Sequence, residues 1–265
     1  MRTRSPRPRR RASVAAHPAL AVEGLGFAVG GASILADVEF GVAQGEMLGV
    51  IGPNGAGKTT LFNVLSGLVR PTAGRVLLDG QDVTHFAVHR RARAGLGRTF
   101  QTSSLFEGLS VLENVRLAAQ ARLGGSLSVL AFPRRHDAAT RTARERLAEV
   151  GLAGKEDHRS GDLSHGDKRK VEIAMMLATD PSVVLLDEPM AGVGSGDVGA
   201  LSEVIRGLHR DRGTTVLMVE HHMDVVLGLV DRVAVMHHGR LLAIGTPEAV
   251  MADSTVQAAY LGEPV

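Results

Sequence analysis

The chain has 265 residues, 44% apolar and 22% charged, which suits one large or two small globular domains and argues against wholesale disorder. Cysteine is absent, so disulfides, thiolate metal ligands and a thiol nucleophile are excluded, and the lack of Trp with a single Tyr leaves few stacking platforms for single-stranded nucleic acid. The formal charge of +2 hides an asymmetry: Arg2, Arg4, Arg7, Arg9, Arg10 and Arg11 all precede the first acid, Glu23, so the basic character belongs to a tail on a formally acidic body.

Residues 1–18, rich in Arg and Pro, read as a disordered extension. The stretch 12–22 is too short, and too broken by His17 and Pro18, for a signal-peptide core. From Leu20 the chain becomes β-rich, with strands expected at Leu20–Val29 and 34–42. A short apolar strand, Met47–Ile51, then runs straight into a glycine-rich loop. A helix is expected over 59–68, closed by Arg70-Pro71, and a strand over 75–78 ends in an Asp79-Gly80 turn. Residues 97–100 form another short strand. The middle, 102–165, is dominated by Arg, Ala, Leu and Glu and reads as a helical insertion, clearest at 138–150. Alternation then resumes: a buried strand at 183–186, a helix at 198–209, a strand at 214–219, a helix at 223–230, and strands 233–236 and 240–244 paired across His237-His238-Gly239. Such alternation argues for an α/β fold with a parallel sheet.

The loop after Met47–Ile51 reads Gly52-Pro53-Asn54-Gly55-Ala56-Gly57-Lys58-Thr59, followed by Thr60, and fits the phosphate-binding pattern G-x-x-x-x-G-K-[ST] between a strand and a helix. Glycines there let backbone N–H groups curl around phosphate oxygens. The helix N-terminus adds partial positive charge. Lys58 is placed for the β- and γ-phosphates, and the Thr59 hydroxyl for Mg²⁺. At 183–188 four apolar residues present Asp187 and Glu188 at a strand's carboxyl end, where ligands sit in open α/β sheets. Asp187 fits a Mg²⁺ role through water and Glu188 a general base.

Three further segments follow in order. Gln101 ends the strand Gly97-Arg98-Thr99-Phe100, Leu163-Ser164-His165-Gly166-Asp167 precedes a helical run, and Glu220-His221 closes a strand. With the phosphate loop and the acidic pair, these make the chain from about Leu20 onward resemble ATP-binding subunits of ABC transporters. Residues 97–101, Leu105-Phe106, 219–224, Gly245-Thr246-Pro247 and Tyr260-Leu261-Gly262-Glu263 narrow the resemblance to the larger ATP-binding subunit of branched-chain amino-acid importers. Relatives serving urea and short amides, and the lipopolysaccharide-export ATPase, are similar.

The resemblance implies a P-loop NTPase fold: a RecA-like core with an N-terminal antiparallel β subdomain and a helical subdomain insertion. One domain would span 19–265, with core segments 19–101 and 166–245, helical subdomain 102–165 and a C-terminal helical segment 246–265. It implies ATP and Mg²⁺ as ligands, with Thr59, Gln101 and Asp187 around the metal. Glu188, His221 and Gln101 would be the catalytic set. Residues Leu163 to Asp167 would complete the ATP site of a second subunit facing head to tail. Membrane permeases would dock near Gln101 to Phe106, with Leu105 and Phe106 as candidate contacts and a substrate-binding protein as an indirect partner. Nucleic acid is not expected. The location implied is the cytoplasmic face of the inner membrane.

Three departures matter. The adenine-stacking aromatic is replaced by Val29, and Phe27, two residues earlier on the same face by strand periodicity, is the other candidate. Asp167 brings negative charge toward phosphate while suiting a helix first turn. Gly194 stands where the family commonly has Asp.

Overall fold

The computed structural model describes residues 17–99, 105–123 and 137–261. Residues 1–16 of the N-terminal tail, Phe100-Gln101 and the closing Gly262-Glu263 lie outside the described residues. Two sheets form. In the first, β1 (Leu20–Val29) and β2 (Ala32–Val42) make an antiparallel hairpin, and β4 (Ala73–Leu78) and β5 (Gln81–Asp82) extend it in the order β2-β1-β4-β5. The second is built on β3 (Met47–Ile51), β6 (Leu96–Arg98), β7 (Val183–Asp187), β8 (Thr215–Val219), β9 (Arg232–His237) and β10 (Arg240–Gly245), in the order β10-β9-β3-β8-β7-β6. All its pairings are parallel except β10 with β9.

Strands β3, β7 and β8 are buried at every position, which is why they read as unbroken apolar runs rather than as alternating patterns. Along β3 the side chains part by turns. Met47 and Ile51 enter one core, shared with the helical side, and Leu48 and Val50 enter the other, shared with the β1–β2 hairpin.

The helices are α1 (Lys58–Ser66), α2 (Val88–Arg93), α3 (Val111–Leu123), α4 (Ala138–Glu149), α5 (His165–Ala178), α6 (Ser195–Arg210), α7 (Met223–Leu229), α8 (Pro247–Met251) and α9 (Ser254–Leu261). α1 stops earlier than Arg70-Pro71 implies, because Gly67 sits at φ 82° and donates to Val64 O while Leu68 donates to Asn63 O, a left-handed glycine cap. α2 escapes sequence reading, since Val-His-Arg-Arg-Ala-Arg has no apolar period. α6 starts three residues before the helix expected at 198. Helices α3, α4 and α5 pack on one another, and α5 also meets α6 and β6. Among the described residues no helix is long and apolar enough to cross a membrane.

Candidate functional site

Three parallel neighbours, β3, β8 and β7, bring their carboxyl ends to one edge of the sheet. The register places Val50 and Asp187 both opposite Val219, so the glycine loop, the acidic pair and Glu220-His221 emerge at one level. Between them lies a cavity of about 290 Å³ lined by Ile34, Asn54 to Thr60, Glu188 and His221. Leu163 to Asp167 are not part of that lining.

The loop leaves β3 through Gly52, at φ 150°, where a Cβ would meet Met236 O at 2.1 Å. Only glycine lets the loop root press on β9 so closely. Lys58 turns back over the loop, and its Nζ donates to Gly52 O at 2.6 Å and Pro53 O at 3.0 Å. Burial lowers its pKa, against the opposing charge of Glu188. Thr59 is exposed to the cavity mouth. Tyr260, on α9, brings its phenol to the backbone of Gly52 while remaining 43% exposed.

Asp187 is 1% exposed. Arg98 Nη2 donates to its Oδ2 at 2.8 Å. Burial raises the carboxyl pKa, and the Arg98 contact partly offsets that rise. Its other oxygen, Oδ1, is buried with no partner among the described residues. Asp187 itself does not line the cavity, but it immediately precedes Glu188, which does; an orphaned carboxylate oxygen and an exposed threonine hydroxyl are hard oxygen donors of the kind that suits Mg²⁺.

Glu188 adopts φ 47°, a left-handed conformation that costs a non-glycine residue about 1–3 kcal/mol. Its N–H donates to Val219 O at 2.9 Å, which holds the turn against β8. The side chain then reaches His221, with Oε1 2.9 Å from Nε2. Such a pair can polarise a water poised above the loop.

The segment Leu163 to Asp167 leads into α5. Ser164 is its N-cap, accepting from Asp167 N at 3.1 Å, which leaves the serine proton free to donate outward. His165 is exposed, and Gly166 packs beneath Asp197. Asp167 is held by Lys155 Nζ at 2.5 Å, with Lys170 Nζ at 3.9 Å. Its charge is therefore compensated within the chain. Gly194 caps α6 without a side-chain bond.

The two adenine candidates part. Phe27 packs against the core beside the first sheet, whereas Val29 is 56% exposed. Register shifts on either side of Phe27 break the strict alternation that would have put both on one face. Ile34, on the partner strand, lines the cavity and was missed. Also missed was Glu220, whose buried Oε1 accepts from Met190 N at 2.6 Å and whose Oε2 accepts from His221 N at 3.0 Å. An acid closing an unbroken apolar strand was the available signal.

A second cavity, of about 280 Å³, opens between α2, β6, α3 and α5, lined by Val88, Ala92, Arg98, Ala118, Met175 and Met176 among others. Its lining residues Arg98 and Thr99 precede in sequence the segment 101–106, near which a docking groove is expected. Leu105 packs into the protein's own core, and Phe106 is 57% exposed.

Residues 35–191 match the ABC transporter family model, and 240–265 match that of the branched-chain amino acid ATP-binding cassette transporter. The chain is 38% identical to the high-affinity branched-chain amino acid transport ATP-binding protein LivG of Escherichia coli (strain K12) over 251 residues, 93% of this chain and 98% of that one. Identity to BraF of Pseudomonas aeruginosa, similarly described, is 38% over 252 residues, with the same coverage. The lipopolysaccharide export system ATP-binding protein LptB of Acidithiobacillus ferridurans is 39% identical over 230 residues, 87% of this chain and 91% of that one. The solved structure of the ADP conformation of MJ1267, an ATP-binding cassette of an ABC transporter, superposes with a TM-score of 0.82 at 31% identity, covering 92% of this chain and 98% of that one. With the loop, the acidic pair and the histidine gathered at one sheet edge, the chain belongs to the ATP-binding cassette family of ABC transporters.

Proposed function

We propose that the protein is the ATP-hydrolysing subunit of an importer for branched-chain amino acids or related small amides, working as a head-to-tail dimer on the cytoplasmic face of the membrane. The observation that carries this reading is the single cavity in which Lys58, Thr59, Glu188 and His221 meet. ATP lies with its phosphates in the loop, where backbone N–H groups and the α1 N-terminus face them. Lys58 exchanges its two carbonyl partners for phosphate oxygens. Glu188 orients the attacking water and takes its proton, and His221 steadies Glu188 and the γ-phosphate. Thr59 and Asp187 would hold Mg²⁺, joined by Gln101, which lies outside the described residues. When bound, the ion neutralises charge on the phosphate oxygens. Adenine rests on Val29 and Ile34.

In the dimer, Ser164 and the α5 N-terminus meet the partner's γ-phosphate, and the compensated charge of Asp167 permits that approach. The groove beside Arg98 receives an apolar segment of the permease, which holds the subunit at the membrane. The match over 240–265 supports an amino-acid importer. The similarity to LptB supports the second reading, a lipopolysaccharide exporter. The test is reconstitution in liposomes with permease and binding-protein subunits of a branched-chain amino-acid importer from the same organism. ATP turnover should rise with leucine, isoleucine, valine or a small amide, and Lys58→Ala should lose labelled-ATP binding. No response to any of these solutes overturns the importer reading, and retained binding in Lys58→Ala overturns the nucleotide site.

A further inference from the structure

Arg98 is the last residue of β6, the edge strand that pairs with β7, and its guanidinium runs along the carboxyl end of the sheet. Nη2 donates to Asp187 Oδ2 at 2.8 Å. Nη1 donates to Ser66 Oγ at 2.6 Å and Phe62 O at 3.1 Å. Both of those partners lie in the C-terminal half of α1, Ser66 being its last residue, where the negative end of the helix dipole favours a cation. The pair with Asp187 is buried, with 7% and 2% of the two side chains exposed.

The geometry has a consequence for the cation site of the preceding section, on which this inference rests. Thr59 stands in the first turn of α1 and Asp187 at the end of β7, so the two oxygen donors come from different elements. Arg98 grips both elements at once. By occupying Oδ2 it also fixes the carboxylate's rotation, and the oxygen left over is the orphaned Oδ1. We infer that Arg98 is a positioning residue for Mg²⁺: it orients Asp187 and locks α1 to β7 so that Oδ1 and the Thr59 hydroxyl face one ion. Neither the glycine-loop pattern nor the acidic pair assigns a role to this arginine. A lysine cannot replace it, because a point charge reaches the carboxylate or the helix end but lacks the planar fork that serves both.

The experiment is equilibrium titration of a fluorescent ATP analogue against the purified chain, without Mg²⁺ and across a Mg²⁺ series. In the wild type Mg²⁺ should tighten binding, and Lys58→Ala should abolish binding in both conditions; failure of either result removes the nucleotide reading itself. Given both, Arg98→Met should need about 10- to 100-fold more Mg²⁺ to reach the same tightening, the usual effect of losing the partner that orients a metal ligand. Mg²⁺-free binding should suffer far less. Arg98→Lys should fall between. Ser66→Ala, which trims the far end of the fork without touching the carboxylate, should shift the Mg²⁺ midpoint the same way by a smaller factor and serves if Arg98→Met does not fold. An unchanged Mg²⁺ midpoint in the folded Arg98 variants, or in Ser66→Ala where those variants do not fold, overturns the inference. An equal loss of binding with and without Mg²⁺ does so too, since that marks a merely structural residue.

Discussion

His221 Nε2 lies 2.9 Å from Glu188 Oε1, across the end of β8 from one loop to the next. The contact joins a strained residue to a side chain 46% exposed, so neither is fixed by core packing; each depends on the other and on its backbone anchor. Glu188→Gln keeps the shape and removes the carboxylate proposed as the base. ATP turnover should fall by about 10²–10⁴ while ATP binding persists, and gel filtration with ATP should show a trapped dimer. Full turnover in that variant would contradict the assignment of Glu188.

The anchor itself can be tested. Glu220 holds Met190 N with one oxygen and His221 N with the other, so a single buried carboxylate sets the spacing between the loop after Glu188 and the loop of His221. His222 Nδ1 lies 3.2 Å from the same Oε2. Glu220→Ala should cost about 1–3 kcal/mol of stability for each buried N–H left unpaired. Glu220→Gln keeps one acceptor and should fold. In steady-state assays it should lower kcat with little change in KM for ATP. A KM effect with intact kcat would place the residue in nucleotide binding instead.

The apolar strands and the glycine loop were legible because burial on both faces and close backbone approach leave marks in neighbouring residues. Arg98 and Glu220 were not. Arg98 finds its carboxylate 89 positions away and Glu220 its amide 30 positions back, and only the parallel order β3-β8-β7-β6 joins them. The Asp167 question was likewise unreadable, since the answer is Lys155 across a turn of the helical region. Strand periodicity put Phe27 beside Val29; the register shifts flanking Phe27 separate them, and Gly26, a glycine inside a strand, was the available signal of a bulge.

That separation predicts opposite outcomes at the two positions. Val29 is exposed next to the hairpin strand that supplies Ile34 to the cavity. Val29→Tyr should add a stacking face and tighten ATP binding by about 1 kcal/mol, as base–aromatic stacking does elsewhere. Phe27→Ala should lower the thermal midpoint through lost core packing and leave the ratio of ATP to GTP affinity unchanged. Competition titrations with the two nucleotides read both. A nucleotide effect confined to Phe27→Ala would reverse the assignment.

The ion pair at the start of α5 predicts a salt-sensitive dimer. Asp167 favours the helix N-terminus but carries a charge that repels a facing γ-phosphate, and Lys155 cancels it at 2.5 Å. Lys155→Met removes the cancellation without altering the cavity of its own subunit. In the Glu188→Gln background, where the ATP-bound dimer should persist, light scattering should show association shifted to higher protein concentration at low salt. The shift should shrink as added salt screens the partly exposed carboxylate. Asp167→Asn combined with Lys155→Met should restore association, since the pair then carries no uncompensated charge. If Lys155→Met dimerises like the parent at low salt, Asp167 does not face phosphate in the assembled dimer.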